Sequence, residues 1–323
     1  MGELETGFYT KPAWQTVGTD VQEVETAEEA IVKSGLDWEV EKANLYHDVN
    51  GVLVPIDGKY ALRRKTDNRI LGYAGEEYVP IQNKQAFQFF DGVVAQKQGA
   101  YQSAGSLRGG KFIWIAAKVD ATISIKGDEV EKFLVLMNAH DFSSALKIFF
   151  TPTRVQCYNV LKAIASKAHD ETFYTRHYGT VQAKLETVKD IITATSKYYE
   201  HFGTQALALA EKKITAKVFE KMLVYAFKIE DDIENIKVNF DDYSTRRKAQ
   251  FALITEIFDG KGKGLADVNI KHTRWAAFNA VVEYIDYYRI TNEKNSADNR
   301  LENVWGRSGM QAKNRAWEYL LRA

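Results

Sequence analysis

Between Trp38 and Thr151 apolar side chains recur at about every second position, in short runs punctuated by Gly, Asp-Gly or Asp-Asn. That period belongs to strands joined by tight turns. WEVEKANLY, GVLVPI, KYALRRKT and RILGYAG supply the first four runs, between residue 38 and about residue 78. KFIWIAAKV (111–119), ATISIK (121–126), EKFLVLMNAH (131–140) and ALKIFFT (145–151) supply four more. Past residue 178 the spacing lengthens to that of helices, predicted over 180–212, 215–229, 241–258, 273–291 and 308–321. Two helices fall in the first half. In TAEEAIVKSG (26–35), Thr26 and Glu29 form a capping box and Gly35 a stop. In NKQAFQFFDGVVAQKQ (83–98), Asn83 stands at the cap, and Ala86, Phe87, Phe90, Val93 and Val94 make one stripe. RVQCYNVLKAIASKA (154–168) reads as strand passing into helix near Cys157. The pattern predicts an α+β fold: an antiparallel sheet with an inserted helix, followed by a mainly helical half. It divides into an N-terminal arm and short helix (1–37), an antiparallel α+β core (38–178) and a helical region (179–323).

At 45% apolar residues the 323-residue chain can bury a full core. No run approaches the roughly 20 apolar residues of a membrane helix, and MGELETGFYTKPAW is too acidic for a signal peptide. One cysteine excludes an internal disulfide framework and suits a reducing cytoplasm. The formal net charge is zero, but residues 1–60 carry 12 acids and 4 bases, and residues 61–170 carry 10 and 15. An acidic start followed by a basic middle implies a local positive surface.

GSLRGGK (105–111) has most of a phosphate-binding P-loop, Gly105, Gly110 and Lys111 being correctly spaced. Phe112 replaces the hydroxyl that would hold magnesium, however, and a strand follows where a helix must open. What remains is a Gly-rich hairpin that presents Arg108 and Lys111, a shape that suits a phosphodiester chain. Arg63, Arg64 and Lys65 follow one another on a strand, so Arg63 and Lys65 share one face and Arg64 the other. Tyr73 and Tyr78 lie nearby, and aromatics beside cations are how single-strand binders hold bases. Arg154 has two readings, a phosphate ligand or the buried ion-pair partner of Asp141.

His140 and Asp141 end an apolar strand, and a His beside a carboxylate can act as a general base. With Cys157 they are the weak catalytic candidates, joined by Arg154 and Asn159 in an alternative reading as a nucleotide- or nucleic-acid-processing enzyme. No HxH, HExxH or CxxC spacing occurs, so neither metal nor cofactor is assigned. In TRWAAFNAVVEYIDYYR (273–289), Trp275, Phe278, Val281, Val282 and Ile285 make a packing face. Asn279, Glu283 and Asp286 share another, of the acidic kind that makes oligomer contacts.

Several of these stretches carry a resemblance. Trp14, SGLDWEV (34–40), GYAGEEYVPIQNKQAF (72–87), AGSLRGGK (104–111), NAHD (138–141), TRVQCYN (153–159), TRH (175–177) and RWAAFNAVVEYIDY (274–287) resemble the phage and plasmid-like proteins classed as domain of unknown function 932. The family pattern has Gly after the His-Asp pair and Thr after the Asn near the Cys; here Phe142 and Val160 stand there. The resemblance implies a setting in phages and mobile elements, beside DNA metabolism, where single-strand annealing proteins are common. The leading expectation is therefore a cytoplasmic phage-type protein that binds single-stranded DNA and assembles as a homo-oligomer. Arg63, Lys65, Arg108, Lys111 and Arg154 would meet phosphates, and Tyr73 and Tyr78 would meet bases. A third expectation is an assembly or host-interaction protein that uses its helical half as an interface.

Overall fold

The computed structural model describes residues 13–96, 99–119, 122–142, 146–154, 173–175, 187–289, 296–305 and 307–323. Its first half forms two antiparallel sheets. The smaller holds β2 (Val40–Val49), β3 (Val52–Arg64) and β4 (Ile70–Gly75) in that order. The larger has β1 (Thr19–Asp20), β5 (Ala100–Leu107), β6 (Phe112–Lys118), β8 (Asp128–Ala139), β9 (Leu146–Arg154) and β10 (Phe173–Thr175) side by side, with β7 (Ile123–Ile125) also paired to β8. Helices α1 (Ala13–Val17), α2 (Ala27–Lys33) and α3 (Asn83–Gln96) are interspersed among the strands. The second half is helical: α4 (Thr187–Glu211), α5 (Ala216–Ala226), α6 (Thr245–Glu256), α7 (Arg274–Glu283), α8 (Ser296–Trp305) and α9 (Arg307–Arg322). The α+β layout is the one that the change of period predicts. No helix among the described residues is long and apolar enough to cross a membrane.

Local chemistry explains most element ends. Thr26 accepts from the Glu29 amide, and the Glu29 side chain returns to the Thr26 amide, so the capping box forms. Gly35 ends that helix at a φ of 65°. The hairpin reading of 51–66 needs correction. GVLVPI and KYALRRKT are one strand, β3, and the turn before it is Asn50-Gly51, with φ of 54° and 86°. Those positive values are what a two-residue hairpin turn demands. Asp57-Gly58 makes an irregularity inside β3 instead, where pairing jumps from Asn44–Tyr60 to Tyr46–Pro55. Asn83 does not cap α3 either. It is buried, and its amide donates to the carbonyls of Leu36 (2.8 Å) and Trp38 (3.4 Å).

The larger sheet is covered on both faces. Ile113, Ile115, Leu134, Leu136, Ile148 and Phe150 join a core that runs from Val21 to Leu320 and takes in α2, α3 and the C-terminal helices. The alternate residues Trp114, Ala116, Phe133, Val135 and Phe149 face the other way, onto Trp14 of α1 and Leu301, Val304 and Trp305 of α8. Trp14 lies edge-on to Phe133, their centroids 4.8 Å apart, and stacks on Trp305 at 6.3 Å. Two-sided burial explains why FLVLM and KIFF are nearly continuous apolar runs rather than strictly alternating ones.

Charged groups are buried where the sheet meets the helices. Arg154, at the end of β9, is fully buried, and its Nε donates to Asp128 on β8 at 2.5 Å. Its other nitrogens donate to the carbonyls of Lys263 (2.8 Å) and Gly264 (3.2 Å). Asp128 also accepts from the Trp275 indole of α7 at 2.7 Å. Asn279, Glu283 and Asp286 are buried as well, so they are not a face for another copy. Asp286 accepts from the buried Lys313 ammonium of α9 at 2.5 Å. Burial pushes the Glu283 carboxyl up to about 7, against the opposing pull of the Lys263 amide and of Arg154.

Two predictions follow from this interior. Arg154→Met leaves Asp128 buried without its cation, and urea unfolding should show a loss of about 3–5 kcal/mol; an unchanged midpoint would contradict the burial of the pair. Glu283 keeps its proton in the folded protein at pH values where the unfolded chain, at 4.5, has released it. Its contribution to stability is therefore full below pH 4.5 and lost as pH rises through about 7. Unfolding of Glu283→Gln and wild type across that window should show the variant gaining by up to about 3 kcal/mol toward the alkaline side.

Candidate nucleic-acid interface

The Gly-rich stretch 105–111 closes a hairpin between β5 and β6, so the P-loop likeness is one of spacing only. Arg108, Gly109 and Gly110 have φ of 51°, 69° and 96°, all left-handed. Glycine serves two purposes here. It accepts that backbone shape, and it admits neighbours that a Cβ would displace. A Cβ on Gly109 would stand 2.4 Å from Nη1 of Arg69, and one on Gly110 would stand 3.0 Å from Nη1 of Arg64.

Those two arginines come from either side of the turn between β3 and β4, where Asn68 has a φ of 58°. Arg64 Nε donates to Asp67 Oδ1 at 2.8 Å, and its guanidinium lies over the Trp38 ring at 5.2 Å. This hydrogen bond is the main reason that the Asp67 carboxyl is held down to about 2, so it stays ionised. Arg69 approaches Asp67 at 3.9 Å and donates to the Gly109 carbonyl at 3.3 Å. Arg108 lies over the Phe112 ring at 5.0 Å. Lys111 makes no ion pair among the described residues, and its carbonyl accepts the His140 amide at 2.7 Å. Four cationic residues thus lie on or against one turn, with Asp67 bridging two of them. Such an arrangement can hold an extended anion through backbone-directed contacts.

The remaining expected residues are dispersed. Arg63 pairs with Glu41, and Lys65 with Glu39 at 2.6 Å, each to the neighbouring strand. As alternation predicts, they face away from Arg64. Their charge is matched locally, so the basic focus lies at Arg64, Arg69, Arg108 and Lys111. Arg154 is a correction: it is buried, its carboxylate is Asp128 rather than Asp141, and it offers no surface to a phosphate. Tyr78 is a second correction. It is 2% exposed and packs on Phe142, so it cannot stack on a base without unfolding its surroundings. Tyr73 is 64% exposed and lies opposite Ala61, on the face that carries Arg63.

His140 is buried beside Asn83, whose Oδ1 is 2.7 Å from Nε2, and edge-on to Trp38. Because the Asn83 amide nitrogen is committed to two carbonyls, its oxygen must accept, and Nε2 carries the proton. This His links α3 to the end of β8. Asp141 is half-buried, and a Cβ on Gly72 of β4 would come within 2.5 Å of its Cα. Phe142 has a φ of 66°, in the left-handed region that favours glycine. Val130 pairs with Arg154, whereas Phe112 pairs with Ala139, so His140 and Arg154 sit at opposite ends of β8. At the rise of a strand that is roughly 30 Å, and they do not form one site. Cys157, Asn159, Val160, His169 and His177 lie outside the described residues.

Alternation places Arg64 on the face opposite Arg63 and Lys65, but it says nothing of Arg69, which joins Arg64 across the turn. The Asp67-Asn68 turn between them was the available signal, since a tight turn returns flanking residues to neighbouring positions.

No curated protein and no solved structure matches the chain. The family model described as Domain of unknown function (DUF932) matches residues 70–305, well over half of its length. That span takes in Gly72, Arg108 and Lys111 of the basic turn, the His140–Asn83 link and the buried Arg154 network, while Arg64 and Arg69 precede it; with such coverage the chain belongs to the DUF932 family.

Proposed function

We propose that this protein binds single-stranded nucleic acid, in the phage-type DNA-metabolism setting that the family resemblance implies, and acts by annealing or strand protection rather than covalent chemistry. The observation that supports this reading is the convergence of Arg64, Arg69, Arg108 and Lys111 on one glycine turn. Phosphates would be met first by Arg69, Arg108 and Lys111, because Arg64 is committed to Asp67. A strand that crosses the edge at β4 would also meet the exposed Tyr73 ring, on which a base can stack. The separation of His140 from Arg154 weighs against the enzyme alternative.

Self-association is the second element of the proposal. The β2–β3 ribbon extends past the end of β4, and Tyr46, Val52, Leu53 and Ile56 on it are exposed, Leu53 at 67%. A two-stranded ribbon with bare edges is marginal in water, and exposed apolar residues on both of its faces, Tyr46 and Leu53 on one and Val52 and Ile56 on the other, favour its burial against a partner. A second copy of the chain is the proposed occupant, which would make the protein a homo-oligomer.

Fluorescence anisotropy of a labelled single-stranded oligonucleotide tests the first element. The triple variant Arg69→Gln, Arg108→Gln, Lys111→Gln should lose at least tenfold in affinity, and its salt slope should flatten by about 2. Arg63→Gln with Lys65→Gln should stay within about twofold, since those cations are already paired. Equal affinity of wild type and triple variant would remove the turn from the model. For the second, native mass should fall to that of the monomer in Val52→Lys with Leu53→Asp. An unchanged assembly, or a monomeric wild type, would discard the ribbon as the contact.

A further inference from the structure

A second concentration of positive charge lies in the helical half, on different elements from the basic turn. The C-terminal end of α5, the start of α6, the π-helical segment that continues α7 and the start of α9 border a half-open cavity of about 360 Å³. Lys228, Arg246, Arg247 and Arg289 line it, and no carboxylate does so among the described residues. Size places it within the range of small-molecule sites, which run from roughly 300 to 1,000 Å³.

Arg247 is held in place by groups that do not neutralise it. Arg247 Nη1 donates to the Gln250 carbonyl oxygen at 2.7 Å, and its guanidinium faces the rings of Phe227 and Phe251 at 5.8 and 5.9 Å. Arg289 is half-buried, and its guanidinium is shifted below the usual arginine range by burial and by repulsion from Arg246 and Arg247. Neither Arg289 nor Arg246 makes an ion pair among the described residues. Withdrawing a guanidinium from water beside two like charges costs free energy, which a bound anion would offset.

Two helix starts add to the attraction. Ser244 caps the 12-residue α6, accepting from the Arg247 amide at 3.3 Å, and lines the cavity. Ser308, in the first turn of the 16-residue α9, lines it too. Helix starts present unsatisfied amides and the positive end of the peptide dipole, the arrangement that binds phosphate elsewhere. Phe227 and Tyr284 provide aromatic wall on the same cavity.

We propose that this cavity binds a small phosphorylated ligand of nucleotide size, its phosphoryl oxygens among Lys228, Arg246, Arg289 and the two serine-led helix starts, its organic part against Phe227 and Tyr284. With four cations and no acid, a triphosphate is favoured over a monophosphate.

Isothermal titration calorimetry of the full chain, without added metal, tests this with ATP, AMP and adenosine. The expected order is ATP, then AMP at least tenfold weaker, then adenosine without measurable heat. Adenosine that binds as tightly as ATP, or ATP that does not bind at all, overturns the proposal. Arg246→Gln changes an exposed side chain, so the thermal midpoint should hold while ATP affinity falls at least tenfold. Unchanged affinity in that variant overturns the assignment of the cavity, as does unchanged affinity in Ser308→Asp, which places a carboxylate at the start of α9. An oligothymidylate distinguishes the source of the phosphate. If it displaces ATP and itself loses affinity in Arg246→Gln, the phosphates belong to a strand and the small-ligand proposal fails. If saturating ATP leaves oligonucleotide binding unaltered, the two sites are separate. The Arg69, Arg108 and Lys111 triple variant should bind ATP as wild type does, so failure at one site is distinguishable from failure at the other.

Discussion

The buried guanidinium of Arg154 is the constraint on which the joining of the two halves depends. It lies where β9 ends and the sheet meets the helices, bonded to Asp128 across the strand pair and to two carbonyls of the 263–264 loop. Asp128 in turn holds the Trp275 indole at the start of α7. A buried ion pair adds little net stability compared with an apolar pair of the same shape, but breaking it is expensive. Its value lies in direction. Apolar packing alone would let α7 slide along the sheet face, whereas one guanidinium with fixed acceptors permits one position. Asp286 and Lys313 repeat the device between α7 and α9, where both partners are buried.

Once the sheet is fixed, the basic turn follows from steric limits. The smaller sheet leans on the larger through Gly72, which lies against the backbone of Asp141, and through Trp38, which meets His140. That approach carries the β3–β4 turn toward the β5–β6 turn. Arg64 and Arg69 come close to positions 109 and 110, where a Cβ would crowd the ends of their guanidinium groups. The His-Asp pair, which reads in the sequence as chemistry, acts as part of this joint. His140 secures Asn83, and its amide secures Lys111 beside the turn.

Much of this was legible in the sequence because hydrophobic period reports burial directly. The strands from 111 to 151 and the five later helices are read from it. Turn chemistry was less decisive. Asn50-Gly51 and Asp57-Gly58 both suit a hairpin, and only the longer pairing of β2 with β3 selects the first. Arg154 could not be assigned its partner, because Asp128 lies on the adjacent strand and becomes visible only when β8 is extended back through Glu129. Asn279, Glu283 and Asp286 share a helical face as their spacing requires, yet a shared polar face reads as exposed, and here all three residues are buried. Helix α8 does carry a period, with Leu301 and Val304 on its buried face, but it lies in a largely polar stretch, and the three residues of β10 are too few to show one. The cavity cations come from elements up to 61 residues apart, between Lys228 and Arg289, and no local pattern joins them.

A formal net charge of zero is compatible with both proposed sites, because phosphate responds to local potential rather than to the sum. Screening over roughly 8–10 Å makes distant acids nearly irrelevant to an anion at either site. The acids are enriched at the start of the chain, with 12 among the first 60 residues against 4 bases. Several occupy α2 and its flanks, where Glu28 pairs with Lys84 and Glu23 with Lys33. On the small sheet they are distributed so that one face is neutralised: Glu39 and Glu41 answer Lys65 and Arg63. The opposite face keeps its positive charge, with Asp67 alone against Arg64 and Arg69. Strand alternation thereby sends Arg64 to the face opposite Arg63 and Lys65, where the single carboxylate of Asp67 stands against both Arg64 and Arg69, and the glycine turn adjoins that face.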